Sequence, residues 1–237
     1  MQQRPVFRSQ MVDDWERDGF PSKEIGAHWA PKGCGIACLR MLLEFSLAAR
    51  GLVLQDRYWD LIKRGVDQGA YCSKGWIHRG LLHLAQPYGL AGECHRAKDI
   101  NAVFDAIKRR SICIVSVSLA FRGGESARGE PIGKGGHLIL VYGIAANDDG
   151  TEQLICHHPS SYPDLNWPDY KIDNEKFINS FSGSFIEFFT PGKSPPNDGS
   201  RQRTGIRLLA ALLRSLSKFR RQHHYCLKCR RYRLHPS

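Results

Sequence analysis

The chain has 237 residues, 42% of them hydrophobic and 24% charged, values close to those of globular domains. That composition excludes a wholly disordered chain, a collagen-like repeat and a small disulfide-stapled scaffold. The formal net charge of +11 is not spread evenly, because residues 200–237 hold eleven Lys and Arg and no Asp or Glu. The remaining 23 basic residues balance the chain's 23 acidic ones, so arguments from basicity toward nucleic acid or membrane apply to the tail only.

No apolar run approaches the ~18–20 residues needed to span a bilayer. The N-terminal twenty residues carry no apolar stretch of the kind a secretory signal needs. The eight cysteines, at 34, 38, 72, 94, 113, 156, 226 and 229, show no disulfide-framework spacing and read as free thiols in a reducing cytoplasm.

In chain order, residues 1–27 are polar and mixed. Ile36, Leu39, Leu42, Leu43 and Leu47 then recur at helical spacing over about 35–50, with Gly51 as the stop. Two further amphipathic helices are expected over 56–65 and 75–86, a short strand over 90–94 and a helix over 98–110. The β-branched run SICIVSVSLA predicts a strand at 111–120. A Gly-rich loop follows at 121–136, then a strand at 137–146, the hairpin turn NDDG and a strand at 151–158. After a Pro-rich connection come a helix at 173–181 and a last strand at 184–190. Helices first and an antiparallel sheet after them predict an α+β domain over 1–192. A Pro/Gly/Ser linker at 193–203 and a basic tail at 204–237 follow.

Cys34 lies in KGCGIACLRMLL, a Gly-flanked turn that opens into an apolar-periodic helix. A sulfur at a helix N-terminus faces unpaired N–H groups and the positive end of the macrodipole, both of which favour a thiolate. His137 begins the strand in GKGGHLILVYG. A Cys at a helix start and a His at a strand start can form the pair that nucleophilic acyl transfer requires. Spacing alone leaves the plain alternative open, an inert buried thiol and a structural imidazole. The thiols at 38, 72, 94, 113 and 156 read as core.

GCGIACLRMLLEF resembles the active-site helix of the bacteriocin-processing, double-glycine leader peptidases. These are papain-like cysteine peptidases with a motif close to D-C-G-x-A-C-L-x-M, and Gly35, Ala37, Cys38, Leu39 and Met41 match it. GGHLILVYGI resembles the second motif of that family, and INSFSGSFIEFF its closing helix and strand. The three together span about 24–190. The resemblance implies a papain-like α+β fold, a thiol peptidase acting on peptide or protein substrates with Cys34 as nucleophile and His137 as general base, and no metal or organic cofactor. Family substrates are leader peptides cut after Gly-Gly.

Three positions depart from the pattern. Gly33 stands where the family has Asp. His28 stands six residues before Cys34, where the family has the Gln that donates to the oxyanion; an imidazole N–H can also donate there, or the ring can pack on Trp29. His158-Pro159 replaces the Asp-Pro pair whose carboxylate orients the catalytic His. A neutral His158 can accept the Nδ1–H of His137, and Asp164 or Asn166 are alternatives for that role. With these changes, a catalytically inactive, peptide- or partner-binding member is the competing reading.

In the tail, Ile206, Leu209, Leu212, Leu213, Leu216 and Phe219 share one helical face over 204–221, with Arg207, Arg214, Lys218 and Arg221 largely off it. Such a helix fits an anionic membrane surface or a partner groove, making the chain a peripheral adaptor. Cys226 and Cys229 beside His223 and His224 offer zinc ligands, although the spacing is not that of a usual finger. Basic residues around Tyr225 and Tyr232 can meet nucleic-acid phosphates. A solvated tail is the simpler reading of both features, so neither zinc nor nucleic acid is expected.

Overall fold

The computed structural model describes residues 4–122 and 136–189. The Gly-rich 123–135 segment, the 193–203 linker and the tail, with its amphipathic stretch and Cys226 and Cys229, lie outside the described residues. All the elements below fall within Met1–Lys193, the first of two units into which the chain divides.

Four helices come first: α1 (Lys23–Trp29), α2 (Cys34–Ala48), α3 (Tyr58–Asp67) and α4 (His78–Ala85). The short hairpin β1 (Tyr71–Cys72) and β2 (Gly75–Trp76) lies between α3 and α4. Then follow β3 (Gly92–His95), α5 (Ile100–Lys108), β4 (Ile112–Ser118), β5 (Gly136–Ala146), β6 (Glu152–His158), β7 (Trp167–Lys171), α6 (Asn174–Ser180) and β8 (Phe181–Phe188). Among the described residues the larger sheet has six strands in the order β3-β8-β4-β5-β6-β7, and every pairing is antiparallel.

Side-chain alternation along the strands divides the core in two. Ile112, Ile114, Leu138, Leu140, Ile186 and Phe188 face α2 to α4. Cys113, Val115, Val117, Ile139, Val141 and Phe185 face the opposite way, toward Val103, Ala106 and Ile107 of α5 and Phe177 of α6. The sheet is therefore covered on both faces, which is why β4 reads as a nearly unbroken apolar run. Buried Glu187 on β8 ties three elements together, accepting from Ser111 at 2.8 Å, from Arg109 at 3.1 and 3.2 Å and from His95 at 3.0 Å.

The helices-then-sheet order agrees with expectation, and the differences have local causes. Residues 23–29 form α1 because Ser22 caps Ile25 N–H and Gly26 packs inward. Helix α4 starts only at His78, because Gly75 and Trp76 pair with Tyr71 and Cys72. The Pro-rich connection holds β7, an edge strand, where Pro168 can be tolerated without a ladder N–H. Gly51 and Gly150 sit at φ +70° and +81°, at the helix stop and the hairpin turn where the sequence puts them. Among the described residues no helix is long and apolar enough to cross a membrane.

Candidate active site

The turn before α2 is held by its carbonyls. Gln10 Nε2 donates to Ala30 O at 2.8 Å, Trp76 Nε1 to Lys32 O at 2.7 Å and Tyr58 Oη to Gly33 O at 3.1 Å. This clamp explains both flanking glycines. A Cβ on Gly33 would lie 2.0 Å from the Tyr58 hydroxyl, and one on Gly35 would lie 2.7 Å from Trp76 Cγ. The space that an aspartate side chain would use before Cys34 is taken by tyrosine.

Cys34 is the first residue of α2 and is 9% exposed. Its sulfur receives the backbone N–H of Leu138, the residue after His137, and Cys38 one turn on donates to Leu138 O at 3.4 Å. Helix α2 is thus seated on the start of β5. Burial pushes the Cys34 thiol above its ordinary value, and the N–H groups of Leu138 and Gly35 and the Arg122 cation pull it partly back. The helix start lies where the sequence puts it, but loss of solvation outweighs its attraction for a thiolate.

His137 pairs with Val117 near the start of β5 and is 5% exposed. Its ring lies close enough to the Pro159 carbonyl for that dipole to favour the charged form. Its Nε2 is buried with no partner among the described residues. Burial, then His158 and then Arg122 hold the imidazole well below its ordinary pKa, against a smaller upward pull from Pro159. Thiol and imidazole are therefore both neutral at rest.

His158 is fully buried and sits beside His137, with ring centroids 4.7 Å apart. It stacks on Trp167 at 4.6 Å and on Phe121 at 5.6 Å, rings that also meet each other at 6.3 Å. Its Nδ1–H donates to Leu165 O at 2.6 Å, and burial lowers its pKa to about 4. The structure thus brings His158 to His137, but no hydrogen bond among the described residues carries the Nδ1–H of His137 to it. Neither alternative takes that proton. Asp164 is exposed, and only its backbone carbonyl is engaged, by Trp167 Nε1 at 3.2 Å. Asn166 closes its own loop, accepting from Ser160 N at 2.8 Å and donating to Tyr162 O at 3.2 Å.

His28 lies exposed in the last turn of α1. It meets Trp29 edge-on at 5.8 Å and accepts from Lys32 Nζ at 2.7 Å. The polar side chain beside the Cys34 turn is instead Gln10, 3% exposed, with Cβ 3.3 Å from the Cβ position of Gly33. Its one bond to Ala30 leaves a second amide hydrogen free. Sequence reasoning missed it because no local pattern links position 10 to position 34.

Arg122 was missed as well. It is half-buried, its Cζ lies 6.0 Å from the Tyr162 ring, and its charge acts on Cys34, His137 and His158 alike. Among the described residues no group of three or more His, Cys, Asp or Glu is placed to hold a metal ion. A cavity of about 750 Å³ bordered by Phe45, Ile112, Tyr142 and Ile144 shares no lining residue with this site.

No family model and no curated protein matches the chain. Solved structures do match, at low identity. The peptidase domain of Streptococcus ComA, a bi-functional ABC transporter of a quorum-sensing pathway, is 20% identical with a TM-score of 0.42, over 66% of this chain and 90% of that one. A double glycine motif protease from an AMS/PCAT transporter, solved in complex with the leader peptide, is 20% identical with a TM-score of 0.39, over 79% and 98%. A C39-like peptidase from Bacillus anthracis is 16% identical with a TM-score of 0.46, over 68% and 90%.

Proposed function

We propose that the chain is a thiol peptidase in which Cys34 attacks a peptide carbonyl and His137 handles the proton. The observation that carries this reading is that Leu138 N–H acts on the Cys34 sulfur while the preceding residue, His137, is buried with its Nε2 unpartnered. A neutral pair reacts by general-base attack. Nε2 takes the thiol proton as sulfur bonds to carbon, and then gives it to the leaving amine as the C–N bond breaks. The backbone N–H groups at the start of α2 and the free amide hydrogen of Gln10 hold the oxyanion, and His28 is left with Lys32. Water then releases the acyl group. The substrates are peptides, and leader peptides ending in Gly-Gly are the first to try. The six described cysteines are free, which suits a reducing cytoplasm.

A second reading is supported by the same electrostatics. A thiol pushed up beside an imidazole with no carboxylate also suits a protein that binds peptides without cutting them. A peptide library read by mass spectrometry separates the two. The peptidase reading expects cleavage after small residues, abolished in Cys34→Ala. Peptide binding with no cleavage by the wild-type chain would favour the second.

A further inference from the structure

The cavity of about 750 Å³ lies toward the far ends of the two elements that carry Cys34 and His137. Phe45, on its wall, is about 16 Å along α2 from Cys34, and Tyr142 and Ile144 follow His137 on β5. The walls are apolar: Phe45, Tyr142, Ile144 and Ile155 are half-buried there beside buried Ile112. The polar groups among them are already engaged. Ser111 donates to Glu187 at 2.8 Å, Tyr142 donates to Asp169, and Asp169 also holds Arg4 at 2.6 Å. Strands β5 and β6 are interior to the sheet, so their ladders use the backbone groups. A peptide laid in this cavity would leave its own amides unmet, whereas an alkyl chain has none.

Four exposed cations, Arg4, Lys108, Arg110 and Lys171, line the same cavity against one acid, Asp169. Lys108 pairs with Glu152 at 2.7 Å, but Arg110 and Lys171 have no side-chain partner among the described residues. Arg110 is kept there at a conformational cost. It is the left-handed residue of the α5 stop, at φ +65°, with its N–H on Ile107 O at 2.8 Å and the Ser111 N–H on Ala106 O at 3.1 Å. Glycine is the usual residue at that position. Among the described residues three non-glycine residues have positive φ, and two of them, Arg110 and Asp169 (φ +51°), line this cavity. Backbone strain of that kind gathers at ligand sites. We propose that the cavity binds a free alkyl carboxylate, its chain among the apolar walls and its head group at Arg110 and Lys171. The site is separate from Cys34 and does not depend on the peptidase reading.

The test is calorimetric titration of the full chain. Decanoate is expected to bind, and decyltrimethylammonium, with the same chain and the opposite charge, about tenfold or more weakly. From octanoate to dodecanoate, each two added methylenes are expected to tighten binding about tenfold. Equal affinity for the cationic amphiphile, or no dependence on chain length, would overturn the proposal. Gly143→Ile narrows the cavity: its Cβ would meet only Ile155, at an ordinary 3.5 Å, and a β-branched residue suits a strand. This variant is expected to bind decanoate about tenfold or more weakly. The basic tail is unchanged in it, so wild-type binding would put the ligand elsewhere and overturn the proposal. Arg110→Gly is expected to melt at an equal or higher temperature and yet to bind decanoate about threefold or more weakly, with a further loss on adding Lys171→Gln. A lower melting temperature of Arg110→Gly, or unchanged affinity in the double variant, overturns the head-group assignment. Amide shifts in the wild-type chain need no variant to fold. Decanoate is expected to move Gly143, Ile144 and Ile155, and shifts confined to other residues overturn the proposal.

Discussion

Cys34 is set by contacts that leave little room for substitution. Gly33→Ala would push a methyl group into the Tyr58 hydroxyl, 2.0 Å from the ideal Cβ position. The expected cost is about 1–3 kcal/mol in denaturant unfolding, and Gly33→Ala with Tyr58→Phe is expected to regain part of it. Gln10→Ala tests the oxyanion assignment. It is expected to lower kcat by on the order of 10²-fold, whereas His28→Ala is expected to leave kcat unchanged. Equal effects of the two variants would contradict the assignment. The places of Cys34 and His137 were legible in the sequence, because a Gly-flanked helix start and a strand-opening His are local signals. Gln10, Arg122 and the Pro159 carbonyl were not. They reach the site from distant elements, and a backbone acceptor has no residue type to betray it.

At the scale of elements, the sheet depends on what is buried between its strands. Glu187 joins β8 to β3, the C-terminal end of α5 and the start of β4. Glu187→Ala is expected to cost roughly 1.5–3 kcal/mol, seen as a lower urea midpoint with unchanged m-value. The apolar periods of α2, α5, β4 and β5 announced those elements because each buries a face against the core. α1 and β7 were hidden. The seven residues of α1 bury only Gly26, so almost no hydrophobic period marks it. Edge strand β7 carries Pro168, which reads as a break until its pairing with β6 is seen.

Taken as a whole, the molecule keeps both buried imidazoles of its site uncharged. His137 and His158 are buried neutral, with folded-state pKa values below those of an exposed imidazole. The unfolded chain therefore binds more protons than the folded one below about pH 6.5, and stability is lost as pH falls. A folded-state value of about 4 for His158 puts that loss in the window between about 6.5 and 4, worth roughly 3 kcal/mol from this residue alone. Thermal melts across that range are expected to show it. The most direct test of the Cys34–His137 pair is the pH dependence of iodoacetamide labelling at Cys34, resolved by mass spectrometry, in the native chain and in His137→Ala. If the imidazole removes the thiol proton during attack, native labelling is flat from about pH 6.5 to 8, between the lowered His137 value and the raised Cys34 value. His137→Ala then labels slowly, rising about tenfold per pH unit as an isolated thiol does. The same tenfold rise in both proteins would mean that His137 does not act on Cys34, and would contradict the account.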